Sequence, residues 1–154
     1  MTIRRSAAAA SAVALGLLAL SACSKPTPLA TVTVGKGSVN TEAACYNNGK
    51  PLTSDILQSC LAKAPTQTVK VRQTETIHLG VEPAIAKNGW LIVSNSTQKT
   101  NIIKDSYRSF SGQSLFLDQM TGQTSSSVVM NVVESAGDNG GALGVWKFKM
   151  ELQS

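Results

Sequence analysis

The amino-acid sequence predicts a mainly β protein, an antiparallel, immunoglobulin-like sandwich of about seven strands, from three observations. Alternating apolar and polar residues recur from residue 68 to the C-terminus. Gly, Pro, Asn and Ser residues, which favour turns, separate these segments. A short helical pattern lies between Cys45 and Cys60. Because an immunoglobulin disulfide joins two sheets and this pair flanks a helix, a small open β-barrel stays the alternative.

The first predicted strand covers residues 30–34, where Val32 and Val34 share one side and Gly35 ends the run. Further strands are predicted where β-branched and aromatic residues alternate or cluster. These segments lie near residues 69–71, 77–81, 90–93, 102–103, 115–117 and 127–133.

The clearest strand pattern lies at the C-terminus. There the apolar residues Trp146, Phe148, Met150 and Leu152 alternate with the charged residues Lys147, Lys149 and Glu151. Such alternation predicts that the apolar side chains lie in the core and the charged ones in water. The preceding Asp138-Asn139-Gly140-Gly141 predicts a hairpin turn, so this strand should pair antiparallel with residues 127–133.

A helix is predicted over residues 56–63. It should not continue further, because Pro65 cannot be accommodated in the helix interior. Four residues share one face of this helix: Ile56, Leu57, Cys60 and Leu61. That face would turn Cys60 toward Cys45, and a pair of cysteines in an exported protein is expected to form a disulfide. A catalytic redox pair is not favoured, since the spacing is not C-x-x-C.

Residues 1–22 have the pattern of a signal peptide: Arg4 and Arg5 precede an apolar stretch over residues 7–20. That stretch is shorter than the roughly 20 residues that a membrane-spanning helix needs. The segment Leu20-Ser21-Ala22-Cys23 closely resembles the bacterial lipobox, which predicts that Cys23 is acylated and becomes the mature N-terminus. An ordinary secretory signal is the alternative.

The mature chain is predicted to consist of a polar, proline-containing tether over residues 23–29 and a single β-sandwich domain over residues 30–154. A lipid on Cys23 would hold this domain at the extracytoplasmic face of the cell membrane. Removing Arg4 and Arg5 with the leader lowers the net charge from +5 to +3. The remaining basic residues are scattered and not interleaved with aromatic residues, so nucleic-acid binding is not predicted.

The sequence contains no recognisable catalytic, cofactor or metal-binding pattern. His78 is the only histidine, and strand alternation places it opposite the apolar face. Ser96-Thr97-Gln98-Lys99 matches the S-x-x-K string of penicillin-recognising enzymes, but it follows a strand in a polar turn. The carboxylates Glu75, Glu82, Asp105, Asp118 and Glu134 are scattered. They would form a hydrolase pair only if the fold brings them together.

Tyr107-Arg108-Ser109-Phe110 is the densest aromatic and basic cluster outside the predicted core strands. In one interpretation Tyr107 and Phe110 cover a sheet edge while Arg108 is solvated. In the other, Tyr107, Arg108 and Phe110 form a binding rim, whose rings and guanidinium contact a cell-wall polymer or an envelope protein. Trp90 and Trp146 are predicted to lie in the core.

Several segments together resemble an actinobacterial family of small cell-envelope lipoproteins. They are the leader with its lipobox, Lys25-Pro26-Thr27-Pro28, Ala44-Cys45-Tyr46-Asn47, Asn88-Gly89-Trp90, Tyr107-Arg108-Ser109-Phe110 and Gly144-Val145-Trp146. The resemblance covers nearly the whole chain. That family is catalogued as a domain of unknown function, so the resemblance implies a cellular location and a fold but no activity. Among the functional residues, only the role of Cys23 carries over.

The leading functional hypothesis is a non-enzymatic, membrane-anchored module that binds or scaffolds a component of the cell envelope. The alternative is a small-ligand-binding lipoprotein accessory to transport, which requires an apolar pocket between the sheets. An envelope hydrolase comes third, because it needs a polar cluster that only the fold can assemble.

Overall fold

The computed structural model describes residues 26–118, 121–137 and 140–153. The predicted signal peptide and Cys23 lie outside these residues, as do Asp138 and Asn139 of the predicted hairpin turn. The described chain forms two β-sheets that face each other across a shared apolar core. The β-sandwich prediction is confirmed, and the sheets do not close into a barrel.

The described residues form ten strands and three helices. The strands are β1 (Ala30–Val34), β2 (Gly37–Thr41), β3 (Cys45–Tyr46), β4 (Gln67–Arg72), β5 (Thr76–Val81), β6 (Trp90–Ser94), β7 (Thr97–Gln98), β8 (Tyr107–Ser111), β9 (Ser127–Ser135) and β10 (Ala142–Gln153). The helices are α1 (Ser54–Ala62), α2 (Pro83–Asn88) and α3 (Gly112–Phe116).

The first sheet contains four antiparallel strands in the order β2-β1-β5-β8. Its inner face is apolar because alternate residues of β1 and β5 are β-branched or leucine: Ala30, Val32, Val34, Ile77, Leu79 and Val81 are all buried. The intervening residues are polar or glycine and point away from the core. The sequence predicted β1 and β5 correctly and missed β2.

The second sheet is organised around β10, which pairs antiparallel with β9 along one edge. This hairpin pairing was predicted and is confirmed. Along its other edge, β10 pairs first with the short β3 and then with β4. The β4–β10 pair is parallel, which corrects the expectation of purely antiparallel strands. Because α1 connects β3 to β4, the chain runs along this edge of β10 first antiparallel to it, as β3, and then parallel to it, as β4.

Both tryptophans lie in the core, as predicted, and are fully buried. Each indole N–H is satisfied by a backbone carbonyl. Trp90 donates to Asp105 over 2.8 Å, and Trp146 donates to Pro28 over 2.6 Å. A buried indole needs such a partner, because an unpaired N–H away from water is costly.

Two short predicted strands are wrong. Residues 115–117 were predicted as a strand, but Leu115 and Phe116 reach the core from α3. At residues 102–103 the structure has a single bridge between Ile103 and Trp90. Short apolar runs do not distinguish a strand from a buried helical turn, and this ambiguity accounts for the first error.

Helix α1 lies on the outer face of the second sheet and forms a smaller apolar cluster there. The cluster contains Leu52, Cys60, Ala142 and Val145. The predicted disulfide is confirmed: Cys45 and Cys60 are joined, with their Cα atoms 5.8 Å apart. Cys60 is buried as expected, but Ile56 and Leu61 are 47% and 42% exposed, so the predicted apolar face of the helix is only partly covered.

Lys147 was expected to face water but is only 3% exposed. It points away from the sandwich core and toward the end of α1, where its ammonium donates hydrogen bonds to the carbonyls of Cys60, Leu61 and Lys63. The last carbonyls of a helix lack partners within the helix and attract a positive charge. Burial away from water lowers the pKa of Lys147.

We predict that Lys147→Met lowers the free energy of unfolding by about 2 kcal/mol, because hydrogen bonds to a charged group contribute about 1.5–3 kcal/mol. Methionine retains an apolar stem but leaves the helix carbonyls without their donor. Urea denaturation checks this, with Lys149→Met as the control, since Lys149 is an exposed residue on the same strand. Equal stability of the two variants would contradict the prediction.

Candidate functional site

The outer face of the first sheet is the candidate site, and we call it the polar face. Strand register places ten residues on it: Thr31, Thr33, Ser38, Asn40, Thr76, His78, Gly80, Tyr107, Ser109 and Ser111. They form rows across the strands, because residues paired on neighbouring strands share a face. The first row is Asn40, Thr31, Gly80 and Tyr107, and the second is Ser38, Thr33, His78 and Ser109.

The ten positions of the polar face contain no Asp, Glu, Lys or Arg. Hydroxyl groups dominate them, joined by one amide, one imidazole and one phenol. Thr33 and Ser38 share a hydrogen bond of 3.0 Å between their hydroxyls. Charged residues normally make up a substantial share of a protein surface. A sheet face that carries many hydroxyl groups and no charged side chain at these ten positions is therefore unusual for a protein surface.

At one end of the polar face, three side chains hold each other in place. The Nδ1 atom of His78 is 3.0 Å from the Ser109 hydroxyl and also hydrogen-bonds to the Tyr107 phenol. Ser109 donates to the Tyr107 oxygen over 3.1 Å. The rings of His78 and Tyr107 are stacked, with centroids 5.8 Å apart and planes at 16°. Tyr107 remains 54% exposed, so its ring is accessible while its hydroxyl is hydrogen-bonded.

The predicted binding rim of Tyr107, Arg108 and Phe110 is divided by the alternation of strand β8. Tyr107 is on the polar face, whereas Arg108 and Phe110 point to the opposite side of the strand. Phe110 is partly buried against the core, and Arg108 is exposed. Tyr107 therefore faces outward with His78 and Ser109 instead of with a guanidinium.

Sequence reasoning placed His78 correctly on the solvated side of its strand but did not connect it to Tyr107 and Ser109. The i, i+2 spacing of Tyr107 and Ser109 was a readable signal that both share a face. Their contact with His78 requires the pairing of β5 with β8, and no local sequence pattern predicts which strands pair.

The cavities of the described residues bear on the small-ligand alternative. A space of about 80 Å³ between the sheets, next to Ile92, Phe110 and Leu115, is well below the 300–1,000 Å³ typical of ligand pockets. An open groove of about 550 Å³ is large enough. It lies between residues 40–44 and 64–67 at the surface, so it is not the enclosed apolar pocket that this alternative requires.

The five candidate carboxylates belong to different elements, and among them Glu82 and Asp105 adjoin backbone that meets, where the Val81 N–H donates to the Ser106 carbonyl. Glu75 is in the β4–β5 turn with Arg72, Glu82 precedes α2, and Asp105 precedes β8. Asp118 follows α3, and Glu134 belongs to β9. Each is thus held by a separate element.

Ser96 and Lys99 lie in and after the β6–β7 hairpin, where Asn95 and Ser96 have positive φ. The S-x-x-K string is therefore not on a helix, the arrangement its catalytic use requires.

In the parts of the chain that the structure describes, no group of three or more His, Cys, Asp or Glu residues is placed to hold a metal ion. Within those same parts, none of the helices has the length and apolarity to cross a membrane.

Glu134 on β9 is a buried acid at the core. It is fully buried, and its Oε1 atom accepts a 2.7 Å hydrogen bond from Asn88. Its Oε2 atom has no hydrogen-bond partner among the described residues. Burial away from water raises the pKa of Glu134, and the Asn88 hydrogen bond only partly opposes this. The Glu134 charge also contributes to raising the pKa of Tyr46, although burial of the phenol contributes more.

We predict that Glu134→Gln stabilises the protein at neutral pH. A raised folded-state pKa favours folding below the ordinary glutamate value, and this stability is lost as pH rises through the folded pKa. The gain from the substitution should approach about 1.4 kcal/mol for each unit by which the pKa is raised. Urea denaturation at pH 4 and pH 8 checks the slope. Glu42→Gln, the same substitution at an exposed carboxyl, is the control, and an equal effect of the two variants on stability at pH 8 would contradict the prediction.

Comparison with known proteins finds no protein-family model, no curated protein and no solved structure that matches this chain. The resemblance to small envelope lipoproteins therefore stays a prediction, and the site must be interpreted from its own geometry.

Proposed function

We propose that this protein is a non-enzymatic lipoprotein that is anchored to the extracytoplasmic face of the cell membrane through Cys23 and binds a component of the cell envelope. The observation that carries the binding role is the polar face, whose ten positions carry no charged side chain and are exposed or half-exposed, with hydrogen bonds that fix Tyr107 at one end. A pre-ordered surface binds with less loss of conformational entropy than a mobile one.

The described end of the predicted tether supports a short connection between lipid and domain. The Thr27 hydroxyl accepts a 3.0 Å hydrogen bond from the Ala43 amide, and Pro28 accepts the Trp146 indole N–H. The chain is therefore held to the domain from Thr27 onward. The four peptide units that connect Cys23 to Thr27 span at most about 14 Å, so the domain would lie close to the bilayer.

We predict that Cys23→Ala moves the protein from the membrane fraction to the soluble fraction, because the diacylglyceryl chains would no longer be attached. Immunoblotting of fractionated cells measures the distribution. Ser24→Ala is the control. It changes the next residue but leaves Cys23 intact, so this variant should remain with membranes. Unchanged membrane association of Cys23→Ala would refute the anchor.

The binding role predicts contact between the polar face and the envelope in living cells. A photo-crosslinking amino acid at Ser109 should give adducts that are visible as a mass shift on a denaturing gel. The same group at Lys149, which is exposed on the second sheet, should give few. Equal labelling from both positions, or none from Ser109, would argue against the polar face as the binding surface.

A further inference from the structure

We propose that the polar face binds a neutral polysaccharide chain, with the Tyr107 ring as its stacking platform. This inference rests on the proposed function and specifies the chemical class of the bound component. Three observations support it: the absence of charge on the face, the open space beside Tyr107, and the arrangement of hydroxyl and amide groups in rows.

Charge complementarity favours an uncharged ligand. An anionic polymer is normally bound by Lys or Arg, and a cationic one by Asp or Glu, yet none of these occupies the polar face. Arg108, the nearest basic residue on β8, points to the other side of the strand. A neutral glycan needs hydroxyl, amide and imidazole groups as donors and acceptors, and the polar face supplies all three.

The position beside Tyr107 is open because its partner on β5 is Gly80. A Cβ atom added at Gly80 would meet no neighbouring atom closer than the Ser106 carbonyl at 3.9 Å. Gly80, the cross-strand neighbour of Tyr107, therefore has no side chain that could cover the Tyr107 ring. An aromatic ring presents an apolar surface with a polar tip, which suits the C–H face of a sugar and its hydroxyl rim.

The rows of the polar face match an extended ligand. Neighbouring strands lie about 4.8 Å apart, so the first row spans about 14 Å from Asn40 to Tyr107. The second row, from Ser38 to Ser109, runs beside it at the two-residue spacing of the strands, about 7 Å. A short run of sugar rings that lies along one row would have hydrogen-bonding groups of the other row within reach.

An extended peptide is the main competing ligand, and it would use a different part of the same sheet. Peptides that extend a sheet pair with the backbone of an edge strand, here β8 or β2. Such binding depends on backbone amides at the edge, and Tyr107 would contribute little. A Tyr107 substitution therefore separates the two ligands.

The test is an NMR titration of the full mature, lipidated chain in detergent micelles. The neutral probes are maltohexaose, cellohexaose and fully N-acetylated chitohexaose at millimolar concentration, and the anionic probe is hexagalacturonate. We expect at least one neutral probe to shift the backbone amides of β1, β5 and β8. Tyr107→Ala should weaken that binding about tenfold or more, whereas Arg108→Ala should change it by less than about twofold.

Tyr107→Phe retains the ring and should keep most of the binding, which guards against loss of fold as the cause in Tyr107→Ala. The proposal is overturned if no neutral probe binds, if hexagalacturonate binds the polar face more tightly, or if Arg108→Ala weakens binding as much as Tyr107→Ala. A Ser109 crosslink to an envelope protein, with no oligosaccharide binding, would overturn the glycan ligand and leave the proposed function standing.

Discussion

Strand β10 is buried on both faces over residues 142–148 and is paired along both edges, and the positions of the two sheets and of α1 depend on it. On one face Trp146, Phe148 and Met150 fill the space between the sheets. Burying one large apolar side chain stabilises a fold by roughly 1.5–3 kcal/mol, so this strand contributes strongly to the core. On the other face Val145 and Lys147 lie under α1. Few strands in a small antiparallel sandwich are enclosed in this way, since one face is usually solvated.

The enclosure of β10 makes the outer faces of the two sheets different. Helix α1 covers part of the second sheet, where the Cys45–Cys60 disulfide and the Lys147 ammonium attach it. The disulfide constrains the chain covalently, and the ammonium satisfies carbonyls that the helix cannot pair itself. None of the described helices makes a comparable contact with the outer face of the first sheet. The polar face is therefore the broad sheet surface left for contact with other molecules.

The same core connects the proposed anchor to the proposed binding surface. Trp146 holds Pro28 at the start of the domain, and β1 begins two residues later with its alternate side chains on the polar face. No hinge is described between Pro28 and the polar face, so these two parts of the domain belong to one unit. Under the proposed function, a ligand bound at Tyr107 would be held near the membrane.

The sequence by itself determined the sandwich class, the β9–β10 hairpin, the disulfide and the inward positions of both tryptophans, because alternation and turn residues are local signals. It also determined which side of β5 carries His78. Only the tertiary structure decided that Lys147 is buried, because α1 covers a face that strand alternation alone assigns to water. Only the pairing of β5 with β8 brought His78 to Tyr107 and Ser109, and the same register sent Arg108 and Phe110 to the other side. Such pairings join residues about thirty positions apart, and they arise from packing of the whole core rather than from any local pattern.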